Sequence, residues 1–140
     1  GGAYARKLAA HPVVGVVGDT VYCHGGVLPK YAGDIERINR EVAAWLLGSS
    51  PMSARVVQLP DSPVWSRHYS DDPDETDCKQ LDEALAKLGA ARMVVGHTVR
   101  PDISSACGEK VWRVDVGMAA HYGGKPQVLE LTQSGVRAIR

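Results

Sequence analysis

Twice in this chain an apolar, β-rich run stops at a histidine with glycine beside it: Thr20-Val21-Tyr22-Cys23-His24-Gly25-Gly26 and Arg92-Met93-Val94-Val95-Gly96-His97-Thr98. A run of this kind reads as a strand, and a side chain at its end stands on a rigid platform. Neutral imidazole is the commonest protein metal ligand, and neighbouring glycines let backbone and an incoming group approach closely. His24 and His97 are therefore candidate metal ligands. For either one alone a hydrogen-bonded structural role is the plainer reading, and two ligands do not complete a site.

The rest of the pattern alternates strands with helices. Val13 to Val17 and Thr20 to Cys23 are β-rich runs separated by Gly18-Asp19, a pair that favours the positive φ of a tight hairpin. Asp34 is placed to cap a helix whose apolar positions Ile35, Ile38, Val42, Trp45 and Leu46 share a face, with Gly48 past its end and Pro51 after it. A second helix is expected from Thr76 or Asp77, with a stripe of Leu81, Ala84, Leu85 and Leu88 before Gly89. Lys110 to Val116 and Gln127 to Thr132 read as strands, and Gln133-Ser134-Gly135 turns the chain into a last one running from Val136 through Ile139. The class is α/β, a mixed sheet with flanking helices.

A chain of 140 residues, 44% of them hydrophobic, makes one domain or one part of a larger one. Sixteen basic residues balance sixteen acidic ones, so no global field draws nucleic acid or an anionic membrane. Cys23, Cys78 and Cys107 are odd in number and lack C-x-x-C spacing, which argues against a disulfide framework or a thiolate zinc site and points to a reducing compartment. No apolar run approaches the ~20 residues of a membrane span and no leader precedes the domain. A soluble intracellular protein is the expectation. The start, Gly1-Gly2-Ala3, reads as a cut end.

Other constellations narrow the chemistry. His24-Gly25-Gly26 resembles the oxyanion segment of an esterase, but no G-x-S-x-G supplies the serine nucleophile. The loop after Cys23 runs to Lys30 with no phosphate-binding arginine, so Cys23 reads as a small buried residue. In Pro63-Val64-Trp65-Ser66-Arg67 the residues alone favour a packed Trp and a solvated Arg; the alternative is an arginine that grips phosphate in forked fashion. Asp115 alternates onto the same side as Arg113, which suggests an intrastrand salt bridge, or else a carboxylate that orients a ligating imidazole. The acidic run from Asp71 to Asp77 lacks the Gly and terminal Glu of a calcium loop and reads as a solvated helix entrance.

Taken in order, Asp19 to Pro29, Pro63 to Arg67, Val94 to Thr98 and Trp112 to Met118 resemble the second half of a calcineurin-like metallophosphoesterase, and more narrowly the Shewanella-like branch of the phosphoprotein phosphatases. The likeness covers most of the chain. It implies that residues 1–140 are the C-terminal part of an αββα sandwich domain, in which a hydroxide bridging two divalent ions (Mn, Fe or Zn) attacks a phosphomonoester. By that resemblance His24 and His97 ligate one of the two metals, Arg67 holds the phosphate oxygens and Tyr122, in Ala119 to Gly124, lies on a loop bordering the site. The implied partners are a phosphoserine, phosphothreonine or phosphotyrosine protein or peptide and the N-terminal half of the same domain.

The family's G-D-x-H-G, G-D-x-x-D-R-G and G-N-H-E motifs are not in these 140 residues. They carry the bridging aspartate, the other metal's ligands and the general-acid histidine. Gly18-Asp19-Thr20-Val21 has the opening of the first motif but lacks its His-Gly. Two readings follow: a metal-dependent phosphoprotein phosphatase present as a fragment that is inactive by itself, or a non-catalytic phosphatase-like module that binds a partner.

Overall fold

Three parallel strands with apolar residues on both faces organise the chain. The computed structural model describes residues 1–50 and 55–140. In order the elements are α1 (Ala3–Ala9), β1 (Val14–Val17), β2 (Thr20–Cys23), α2 (Ile35–Leu46), α3 (Glu75–Leu88), β3 (Arg92–Val95), β4 (Ser104–Ala106), β5 (Val111–Arg113), β6 (Val128–Thr132) and β7 (Gly135–Ile139). Five strands make one mixed sheet, ordered β1-β2-β3-β5-β4, and β6 pairs with β7 as a separate ribbon. The expected α/β class, a mixed sheet with flanking helices, is what forms.

The register of β2, β3 and β5 lines up Val21, Met93 and Val111 in one row and Tyr22, Val94 and Trp112 in the next. Because side chains alternate across a sheet, the two rows face opposite ways. The first packs with Tyr69 and with Leu81 and Leu85 of α3, and Val21, Met93, Val111 and Leu81 are all fully buried. On the other face Val94 and Trp112 join Ile103 and Val116 beneath Leu129, Val136 and Ala138 of the ribbon. Burial on both faces is what parallel strands require. Tyr22 stays partly exposed in an open groove shared with Pro12, Val13, Val94 and Val114.

Local signals place most elements. Gly18 takes φ +59 in the β1–β2 turn, and β1 pairs with β2 along its whole length. α2 buries Ile38 and Val42, while its Asn39 side chain hydrogen-bonds the backbone of Val13 and Val14 and so covers that part of the sheet edge. Asp34 occupies the N-cap position of α2 but spends its carboxylate on Arg37. α3 begins at Glu75, slightly earlier than expected. The Asp74 side chain accepts from Thr76 N and Asp77 N, and Asp77 accepts in return from Asp74 N, a reciprocal capping box. Gly89, at φ +63, closes that helix. Pro51 lies outside the described residues.

Several expectations are corrected. Only Val111–Arg113 of the expected Lys110 to Val116 strand pairs in the sheet. Arg113 makes no bridge to Asp115: its guanidinium donates to Asp71 O at 2.7 Å and Ser105 O at 3.3 Å, while Asp115 Oδ1 accepts from Gly117 N. α1 and β4 were not expected, since α1 buries no residue and β4 spans three.

Cys78 and Cys107 are joined in a disulfide, against the cysteine reading, leaving Cys23 free. They lie 29 residues apart in sequence, yet the first turn of α3 meets the β4–β5 turn, where Cys107, Gly108 and Glu109 all hold positive φ. The bond withdraws the inference of a reducing compartment. Among the described residues no helix is long and apolar enough to cross a membrane.

Leu81→Ala is expected to destabilise the chain by about 2–5 kcal/mol in denaturant unfolding, because it empties a fully buried position. Leu8→Ala, at a position 59% exposed, should stay within ~0.5 kcal/mol. Alkylation of the denatured chain should mark Cys23 alone before reduction and Cys78 and Cys107 as well after it; labelling of all three without reductant contradicts the pairing.

Candidate metal centre

Parallel strands deliver their carboxyl ends to one edge of a sheet, where open α/β folds build their sites. Here the ladder runs one step past its strands: Gly96 N donates to His24 O at 2.8 Å and Val114 N to Val95 O at 2.9 Å. This sets the backbone of His24, just after β2, against the residue preceding His97, just after β3. The rings meet, with His97 Nδ1 and His24 Nε2 3.0 Å apart and ring centroids separated by 4.8 Å. The convergence expected from the two strand ends is therefore present. His97 holds φ +68, a left-handed backbone that costs a non-glycine residue about 1–2 kcal/mol and is found where surrounding structure imposes it.

The glycine after His24 has a defined task. Gly25 N donates to Pro63 O at 2.7 Å, and a Cβ on Gly25 would lie 2.7 Å from Ser66 O and 2.8 Å from Ser66 N. Only glycine lets the loop spanning 62–67 close onto the β2 end. That loop presents Trp65, whose Nε1 donates to Val57 O and whose ring stands edge-on to His97 at 5.7 Å. It also presents Arg67, whose Nη1 donates to Thr98 Oγ1 at 2.8 Å and to the His97 carbonyl at 3.2 Å. Ser70, fully buried, shares a hydrogen bond with the same Thr98 hydroxyl. Arg67 is exposed, as its neighbours suggest, yet braced against the His97 segment, and a guanidinium carries five N–H donors, so the fork retains donors for an oxyanion.

Gln58, Pro60, Trp65, Arg67, His68 and His97 line an open cleft of about 640 Å³. His24 lies on the other side of the pair, facing the groove that holds Tyr22, Val94, Gly96 and Val114. The two imidazoles form the ridge between these depressions. Burial, then the positive charge of Arg67 and then His24 hold the His97 pKa below the ordinary histidine value, against the opposing pull of the Trp65 carbonyl and Asp115. The neutral ring, with a lone pair to offer, is favoured. Burial pushes the Cys23 thiol up to about 12, against lesser hydrogen bonds from Gly26 and Val27, which disfavours the thiolate.

Two imidazole nitrogens that each stand about 2.1 Å from one ion, at a bond angle of about 90–110°, lie ~3.0–3.4 Å apart. In this chain the 3.0 Å contact is an imidazole–imidazole hydrogen bond, one ring donating to the other, and the same separation matches that bite. Among the described residues no group of three or more His, Cys, Asp or Glu converges as a metal site, and the imidazole pair brings two nitrogens together. Asp115 and His24 both lie beside Gly96, where a Cβ would stand 3.7 Å from Asp115 Cβ and from His24 Nδ1. The Asp115 carboxylate is turned to Gly117 N at 3.0 Å. Tyr122, 62% exposed, packs its Cβ over Gly117 next to Val99 and sets its ring edge-on to His121. It borders the segment that follows His97 without joining the imidazole pair.

Sequence reasoning passed over Ser70, Thr98 and the pair His68–Asp77, in which His68 Nδ1 lies 2.7 Å from Asp77 Oδ1. Their only signal was adjacency: His68 follows Arg67, and Thr98 follows His97.

No family profile matches the chain. It is 37% identical over 142 aligned positions to Shewanella-like protein phosphatase 2 of Arabidopsis thaliana, an alignment that covers 96% of this chain and 36% of the relative. The fold is similar to that of a cold-active protein-tyrosine phosphatase of a psychrophilic Shewanella species, with a TM-score of 0.76 at 21% identity over 94% of this chain and 41% of that one. Another structure of a cold-active protein tyrosine phosphatase gives a TM-score of 0.72 at 21% identity, covering 87% of this chain and 37% of that chain. The chain therefore spans somewhat over a third of the proteins it resembles.

In an NMR titration of the metal-free chain, the His97 imidazole should reach its midpoint below the ordinary ~6.5, and Arg67→Ala should raise it by removing a nearby positive charge. A midpoint that Arg67→Ala leaves in place contradicts the electrostatic account.

Proposed function

We propose that this chain is the part of a metal-dependent phosphoprotein phosphatase that supplies two imidazole ligands to one of two divalent ions (Mn, Fe or Zn) and the arginine that holds the phosphate. The observation carrying this reading is the meeting of His97 Nδ1 and His24 Nε2 at 3.0 Å beside a cleft that Arg67 enters. Similarity to a named protein phosphatase over 96% of the chain supports the class of reaction, phosphomonoester hydrolysis. When bound, such ions turn water into a nucleophile at neutral pH and neutralise charge on phosphoryl oxygens.

The chain's own groups then have separable tasks. His24 and His97 offer lone pairs from strand ends that the sheet ladder fixes. Arg67, held by Thr98 and the His97 carbonyl, binds and orients the phosphate oxygens by charge-assisted hydrogen bonds. Asp115 adds negative charge near His97, while its carboxylate itself accepts from Gly117 N. Tyr122 forms part of the rim. On this reading the remaining metal ligands and the general acid come from the rest of the domain. Phosphoserine, phosphothreonine and phosphotyrosine peptides all belong to the substrate class, and the solved neighbours named as tyrosine phosphatases favour including the last.

Hydrolysis of p-nitrophenyl phosphate with added manganese tests this. The 140-residue chain should be a poor phosphatase and the protein extended upstream an active, metal-dependent one. In the longer form Arg67→Ala should lower kcat/KM by about tenfold or more. Equal, metal-dependent turnover by both lengths would place the machinery elsewhere. Phosphopeptide binding without turnover at either length would favour the non-catalytic module.

A further inference from the structure

The His68–Asp77 pair is not used by the proposed reaction, yet His68 lines the same cleft as Arg67. Its anchor is firm. Asp77 sits in the first turn of α3, only 19% of its side chain exposed, with Oδ1 on His68 Nδ1 at 2.7 Å and Oδ2 accepting from Asp74 N. A carboxylate only accepts hydrogen bonds, so the proton of this contact rides on Nδ1 and the neutral ring keeps its lone pair on Nε2. The His68 side chain is 43% exposed, leaving that nitrogen within reach of a ligand. Pro60 and the Trp65 ring give the cleft an apolar wall beside it.

A lone pair on Nε2 selects the ligand. A phosphomonoester dianion brings only acceptors and gains nothing from it, whereas an extended peptide brings one backbone N–H per residue. We propose that His68, oriented by Asp77, is a specificity residue whose Nε2 accepts a backbone N–H of the phosphopeptide bound at Arg67, so that the cleft prefers phosphopeptides to small phosphate esters. The proposal rests on the reading of Arg67 as the phosphate contact. His68 positions the peptide and has no part in bond breaking.

The test titrates the metal-free 140-residue chain by calorimetry with two probes. One is methyl phosphate at about pH 8, where the monoester is a dianion with no hydrogen-bond donor. The other is an acetylated and amidated heptapeptide with a central phosphoserine and alanine elsewhere, whose hydrogen-bond donors are all backbone amides. The parent chain should bind the peptide more tightly than methyl phosphate. His68→Leu should lower that peptide-to-phosphate ratio by about tenfold, the scale of one lost hydrogen bond. His68→Gln, which keeps an acceptor of similar reach, should retain most of it, and Asp77→Ala, which frees the ring, should lower it in the same direction as His68→Leu. No peptide preference in the parent chain, an unchanged ratio in His68→Leu, or equal losses in His68→Leu and His68→Gln would overturn the proposal. Arg67→Ala reports separately on the underlying reading: unchanged binding of methyl phosphate would remove Arg67 as its ligand while leaving the His68 ratio interpretable.

Discussion

The hydrogen bond from Gly96 N to the carbonyl of His24 carries the parallel pairing of β2 and β3 past the last assigned residues of both strands. Without that step the strands would end level but their histidines would be free to splay. With it, the left-handed turn at His97 brings one imidazole against the other. The pairing is in turn fixed by burial. Val21, Met93 and Val111 are sealed on the helical face and Val94 and Trp112 on the ribbon face, so a one-residue slip would exchange the two rows and misplace every side chain. Hydrophobic register therefore sets the spacing of the polar pair.

The second constraint is close approach. At Gly25 no Cβ can be accommodated beside Ser66, and this contact holds the loop that carries both Trp65 and Arg67. From there a continuous set of contacts runs through Thr98 to buried Ser70 and back to the His97 carbonyl. The positive charge of Arg67 reaches His97 and favours its neutral form. A group suited to gripping an oxyanion thus also keeps a neighbouring imidazole ready to donate its lone pair.

Most of the scaffold was legible because its signals are local. Gly18-Asp19 makes its hairpin, Gly89 closes α3, and the acidic start of α3 supplies its own cap. α1 left no trace because Tyr4 and Leu8 remain exposed and no apolar stripe marks the helix. The Cys78–Cys107 bond depends on α3 meeting a turn 29 residues away, a tertiary fact that cysteine spacing does not carry. At the site, the histidines were visible from glycine and strand context. Arg67 is exposed, as its neighbours suggest, but the neighbours do not show its bracing by Thr98, 31 positions on. His68 went unnoticed for the same reason, because Asp77 acquires meaning only once α3 is capped and packed.

The central claim is that the two strand-end imidazoles act on one ion, and sub-stoichiometric manganese addition followed by histidine NMR tests it most directly. The chain has five histidines, so the others serve as internal references. Paramagnetic broadening should erase the His24 and His97 imidazole signals together, at the same low manganese ratio, while His11 and His121 persist. Loss of only one signal of the pair, or earlier loss of His11 or His121, would contradict a shared site at the ends of β2 and β3.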